Sequence, residues 1–178
     1  MFFDRIFHKR SSKLFQELAG YIDRHYEEAV HTTEPRPNHQ RNMTMVMEEC
    51  GPMAMSLENM LKQADAGFTE TLLKLIDKTG KKDSEIYKKA NISKQHFSKI
   101  RNNPAYKPTK PTAIALALAL ELDLEATKDL IGRAGYALTN SSKFDLIIRY
   151  FIEQGKYNVV EINMALYEFD QPLLGGTL

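Results

Sequence analysis

Lys81-Lys-Asp-Ser-Glu-Ile-Tyr-Lys-Lys-Ala-Asn-Ile-Ser-Lys-Gln-His-Phe-Ser-Lys-Ile-Arg101 reads as two short helices joined by a tight turn. Ile86 and Ala90 share one face of the first at the i, i+4 spacing of a helix. Asn91, like Gly80 before it, readily takes the left-handed conformation that such a turn needs. Ser93 is placed to cap the second helix, its hydroxyl accepting from a free backbone N–H of the first turn. Phe97 and Ile100 then point inward, and Lys94, Gln95, Ser98 and Lys99 outward. A helix anchored by two apolar side chains and carrying amide, hydroxyl and ammonium groups outside has the chemistry of a major-groove reader.

Residues 71–132 resemble the Xre/lambda-repressor-type helix-turn-helix domain. The matching frame runs through Leu72-Leu73-Lys74-Leu75-Ile76, Glu85-Ile86, Ile92-Ser93, Phe97-Ser98-Lys99-Ile100, Pro108, and Ala115 to Leu122. More broadly, residues 57–178 are similar to a helical module found at the C-terminal end of larger bacterial proteins, behind macrodomain or von Willebrand A-type domains. The resemblance implies an all-α fold. This would be a lambda-repressor-like helix-turn-helix bundle with an extra C-terminal helical hairpin and an N-terminal amphipathic helix. It also implies that Lys94, Gln95, His96, Ser98 and Lys99 face DNA. Two positions depart from the family pattern: Asp83 stands where a Gln usually contacts phosphate or base, and Tyr87 where a small Ala usually packs between the helices.

The net charge of +1 conceals an uneven distribution. Residues 78–110 hold ten Lys/Arg against two Asp/Glu, a local +8, whereas residues 1–77 carry −3 and 111–178 carry −4. Positive charge concentrated on the two-helix stretch and its following loop is the footprint of phosphate contact. Together with the residues that the resemblance turns toward DNA, this gives the candidate DNA-contacting set Lys81, Lys82, Ser93, Lys94, Gln95, His96, Ser98, Lys99, Arg101, Lys107 and Lys110. Within it, Lys94 and Gln95 would read base edges, the Gln95 amide suiting adenine. Ser98, Lys99, Lys81, Lys82, Lys107 and Lys110 would hold phosphates.

Three segments follow from composition: an amphipathic helix within 1–30, a Pro/Met-rich linker over 31–56, and the domain itself over 57–178, with core 69–135, hairpin 141–169 and tail 170–178. The N-terminal stripe is Leu14, Leu18, Tyr21 or Ile22, and Tyr26; it either packs on the domain or pairs with a second copy. The alternation Met-Thr-Met-Val-Met over 43–47 suits a short strand or a loose wrap of adaptable side chains. Leu57, Met60, Leu61 and Ala64 form a first helical stripe. Thr69 or Thr71 is expected to open the next helix and Gly80 to stop it. Ile114–Leu120 alternates Ala and Leu, but Ala favours helix over strand, so it is read as the central core helix. Ser142 and Asp145 resemble a capping box before the stripe Phe144, Ile147, Ile148, Phe151, Ile152. Asn158 with Glu161 caps a last helix bearing Val159, Ile162, Leu166 and Phe169, and Leu173–Leu178 is expected to be a free tail.

Catalytic patterns are not found in the sequence. Gly80-Lys81-Lys82 lacks the upstream glycine of a phosphate-binding loop, and Cys50 has no orienting His or Asn in a motif. The five histidines fall at no metal-ligand spacing, so neither a cofactor nor a metal is expected. A single cysteine suits a reducing, cytoplasmic home, and the interrupted apolar run of residues 1–10 does not read as a signal peptide. The expectation is a non-enzymatic, sequence-specific double-stranded DNA binder, a homodimeric transcription regulator. The alternative is a helical protein–protein interaction or adaptor module that keeps the helix-turn-helix fold without DNA binding.

Overall fold

A computed structural model of the chain describes residues 13–26 and 66–175, and every regular element among them is a helix. Residues 13–26 form α1. There follow α2 (Phe68–Thr79), α3 (Asp83–Lys89), α4 (Lys94–Asn102), α5 (Lys110–Ala119), α6 (Leu124–Arg133), α7 (Lys143–Glu153) and α8 (Val159–Glu168). The apolar face of residues 2–7, the possible strand at 43–47, the linker with Cys50 and the stripe Leu57–Ala64 lie outside the described residues.

The Ala/Leu run is helical and is buried on every side, each residue from Thr112 to Leu120 being inaccessible to solvent or nearly so. Alanine at every second position lets neighbouring backbones come close while the leucines fill the gaps, so α3, α6 and α8 all pack on α5. Pro111 sits in its first turn, where a missing N–H costs nothing. Glu121 at φ 56° breaks the path into α6, which Asp123 caps by accepting from the Ala126 N–H at 2.8 Å.

At α2 the expected caps are replaced. Gly67 occupies the N-cap position. Thr69 is buried and donates to the Ile100 carbonyl at 3.4 Å, while the Thr71 hydroxyl donates to the Ala66 carbonyl, also at 3.4 Å. Both threonines therefore tie the helix to its surroundings. Gly80 ends α2 at φ 66°, as the stop signal requires.

The capping box expected at α7 is only half formed. Ser142 accepts from the Asp145 N–H, but the Asp145 carboxylate turns inward and accepts from the Thr139 N–H at 2.9 Å and the Thr139 hydroxyl at 3.0 Å. Beyond the expected stripe, Leu146 and Tyr150 are buried as well, and α1 packs against α7 at Tyr150 and Glu153. Leu18 and Ile22 enter the common core, Tyr21 stacks edge-on against Tyr150 at 5.2 Å, and Tyr150 donates to Glu17. Of the two fates open to the N-terminal stripe, packing on the domain is the one observed for residues 13–26.

Asn158 caps α8 by accepting from the Val160 and Glu161 N–H groups. Val159, Ile162, Ala165 and Leu166 face the core, and Val160, Met164 and Tyr167 stay exposed on the opposite side. The tail is not free through residue 175. Leu174 is 2% exposed, and Asn163 holds its backbone from both sides, accepting from the Leu174 N–H at 2.8 Å and donating to its carbonyl at 3.1 Å.

The Tyr21 hydroxyl donates to Glu153 at 2.8 Å. Burial, helped by the Glu153 hydrogen bond and charge, pushes the phenol up to about 12. Burial alone would raise Glu153, but hydrogen bonds from Arg149 and Tyr21 outweigh it and hold the carboxylate below its usual range. Because Tyr21 keeps its proton longer in the folded chain, its contribution to stability is complete below about pH 10 and is lost as pH rises towards about 12. Urea midpoints followed through that window should fall more steeply for the native chain than for Tyr21→Phe; parallel curves would refute the coupling.

Candidate nucleic-acid interface

The turn between α3 and α4 forms as its residue types dictate. The Ala90 N–H closes α3 on the Ile86 carbonyl at 2.8 Å, Asn91 takes φ 54°, and the Ile92 N–H returns to the Tyr87 carbonyl at 3.0 Å. Ser93 then caps α4 by accepting from the His96 N–H at 3.1 Å. Ile86, Ala90, Ile92, Phe97 and Ile100 are buried together, fixing the pair of helices against α2 and α5. Tyr87 fills the space between α3 and α4, with its ring centroid 5.9 Å from that of Phe97.

Anchored by Phe97 and Ile100, α4 turns Lys94, Gln95, Ser98, Lys99 and Arg101 to solvent. Ser98 accepts from the Asn102 amide at 3.1 Å. His96 is half-buried, its Nε2 3.3 Å from the Tyr106 hydroxyl, and the Lys99 ammonium lies 4.8 Å from the centre of the Tyr106 ring. Lys81, Lys82 and Lys107 are exposed on the flanking loops. The Lys82 contribution to local structure comes through its backbone, whose N–H donates to Glu85 at 3.0 Å.

Ion pairs divide the basic stretch into neutralised and open cations. Arg101 binds the Asp83 carboxylate across the two helices. Lys89 binds Glu121, and Lys81 lies 4.0 Å from the same carboxylate. The Lys89 hydrogen bond, then the charges of Lys89 and Lys81, hold Glu121 below the usual carboxylate range. Lys110, expected on a phosphate, points inward instead: its ammonium is 2.6 Å from one oxygen of Asp145 and 2.8 Å from the other, in a carboxylate that is 1% exposed. Among the described residues no acidic side chain lies within 4.0 Å of Lys82, Lys94, Lys99 or Lys107.

The Asp83–Arg101 pair spans eighteen positions and has no signature in a single sequence, and neither does the role of Tyr106 in a loop between two prolines. The features of the sequence that mark this site are the cap at Ser93, the turn residue Asn91 and the apolar spacing of Phe97 and Ile100. Beside the turn lies an open groove of about 720 Å³ whose lining includes Lys88, Asn91, Ser93, His96, Thr109 and Leu173. Among the described residues no cluster of three His, Cys, Asp or Glu could hold a metal, and no helix is long and apolar enough to cross a membrane. No family model matches the chain, and no curated protein or solved structure gives a significant match to it.

Removing Asp145 would leave the Lys110 ammonium and the Thr139 donors without their common acceptor. The carboxylate is buried while the ammonium is half-buried, so Asp145→Ala should lose about 2 kcal/mol of stability, chiefly through the Thr139 donors left unpaired. Denaturant unfolding measures it, and a loss near zero would show that water replaces the carboxylate.

Proposed function

We propose that this chain is a lambda-repressor-like helix-turn-helix protein that binds double-stranded DNA with sequence specificity, as a cytoplasmic homodimer regulating transcription without enzymatic chemistry. In this reading α3 and α4 are the paired helices and α4 enters the major groove. The observation that carries it is the α4 surface itself: Lys94, Gln95, Ser98 and Lys99 all exposed, on a helix held by two buried anchors. Asp83, the least favourable group for approaching phosphate, does not oppose this reading, because Arg101 neutralises it. Its carboxylate also suits the N-terminal end of a helix dipole. A dimer is the form in which one such helix per protomer reads two half-sites.

A second reading, an adaptor module without DNA binding, has one observation in its favour. Val160, Met164 and Tyr167 lie one turn apart along α8 and are 66%, 42% and 75% exposed. An apolar row of that kind is a surface suited to protein contact.

Four open lysines set the electrostatic expectation. If each neutralises about one phosphate, log Kobs should fall with log salt at a slope of roughly −4 for each protomer and about −7 for the dimer. Binding to mixed-sequence duplex DNA in a salt titration measures it. A flat response, or no binding at low salt, would remove the DNA reading and leave the adaptor standing.

Base reading and phosphate holding separate by mutation. Lys99→Ala should weaken binding to all sequences alike, whereas Gln95→Ala should cost about 1–3 kcal/mol on the preferred site and little on scrambled DNA. Equal losses on both DNAs for Gln95→Ala would show that it reads no base.

A further inference from the structure

Tyr106 is absent from the sequence-derived candidate set, yet it touches two members of that set. It belongs to the loop between α4 and α5, and that loop is bent back onto α4. The Tyr106 N–H donates to the Asn103 carbonyl at 2.9 Å, and the Ala105 N–H to the Asn103 side chain at 3.1 Å. Farther on, the Tyr136 hydroxyl pins the Pro108 carbonyl at 3.1 Å. The half-buried Tyr106 ring packs against the core on one side. Its hydroxyl meets His96 and its face meets Lys99, two residues one turn apart on α4.

From this geometry we infer that Tyr106 is a positioning residue for the candidate DNA surface, its ring holding the Lys99 ammonium where a phosphate would be met. The inference rests on the DNA-binding reading above. A lysine on a solvated helix samples many rotamers, and a contact that fixes one must overcome that freedom. The quadrupole of an aromatic face attracts an ammonium, and unlike a carboxylate it leaves the net charge uncancelled. Lys99 is thus restrained yet still carries a full positive charge for phosphate. Arg101, two positions along α4 and on another face of it, is restrained by Asp83 and gives its charge up to that pair. The packing of the ring against the core keeps it beside Lys99, and the hydroxyl contact with His96 adds a further tie between the loop and the start of α4.

The first test needs no DNA. In the free full-length protein, the Lys99 ε-methylene protons should resonate upfield of the other lysines through the ring current of Tyr106. The shift should persist in Tyr106→Phe and vanish in Tyr106→Leu. The second test uses a mixed-sequence DNA duplex at low salt. Tyr106→Leu should weaken binding about two- to fivefold, while Tyr106→Phe, which keeps the aromatic face, should restore most of the affinity. In a Lys99→Ala background Tyr106→Leu should cause no further loss, because the ring would act only through that ammonium. Additive losses, or an unshifted Lys99 in the native protein, would overturn the assignment even where DNA binding is observed. Failure of the native protein to bind duplex DNA would overturn it together with the reading it rests on.

Discussion

Enclosure of α5 is the constraint on which the other elements depend. A helix whose residues are buried all round satisfies its own backbone but must find apolar cover in every direction. Leu116, Leu118 and Leu120 each contribute about 1.5–3 kcal/mol when fully withdrawn from water. That cover comes from α3, α6 and α8. Because α3 is one of these walls, the placement of α4 is inherited from the core through a four-residue turn. The candidate interface is thus one face of a packed bundle, positioned by the same contacts that stabilise it.

Local chemistry made much of this bundle legible. The caps at Ser93 and Asn158, the left-handed Asn91 and Gly80, and the anchors Phe97 and Ile100 each depend on neighbours within about four positions, the range over which helical spacing carries information. What escaped the sequence lies at longer range. The stripe of α7 reads as one-sided, yet Tyr150 is buried, its ring against Tyr21 and its hydroxyl on Glu17 of α1, more than a hundred positions earlier. Asp145 looks like a capping residue because its spacing from Ser142 is right, but the half-buried Lys110 ammonium offers its carboxylate a stronger partner than a backbone N–H. Leu174 sits among small and polar residues that suggest a free end; only Asn163 explains why it is held.

The same limit applies to charge. A run of ten basic residues gives a sign and a location, but not which cations remain open after folding. Asp83, Glu121 and Asp145 lie 18, 32 and 35 positions from Arg101, Lys89 and Lys110. The two exposed pairs add little to stability, since water and side-chain entropy offset most of their attraction. Their consequence is selection: they engage Arg101 and Lys89, and of the candidate contacts leave Lys82, Lys94, Lys99 and Lys107 with no acidic side chain within 4.0 Å among the described residues.

The C-terminal segment closes the circuit between the core and this surface. Asn163 fixes Leu174 on α8, and Gly175 follows at φ 92° beside the turn between α3 and α4. A Cβ at Gly175 would lie 2.5 Å from the Asn91 carbonyl oxygen, closer than real side chains come to backbone, and 3.3 Å from that of Ala90, a tight contact. Position 175 therefore requires glycine twice over, for its positive φ and for the approach itself. The turn that aims α4 is backed on one side by α5 and on another by a backbone strap anchored on α8. A shift of α8 would have to carry the strap with it or break the Asn163 bonds. The last helix, α8, is in this way mechanically joined to the α3–α4 turn, although their sequences lie more than sixty positions apart.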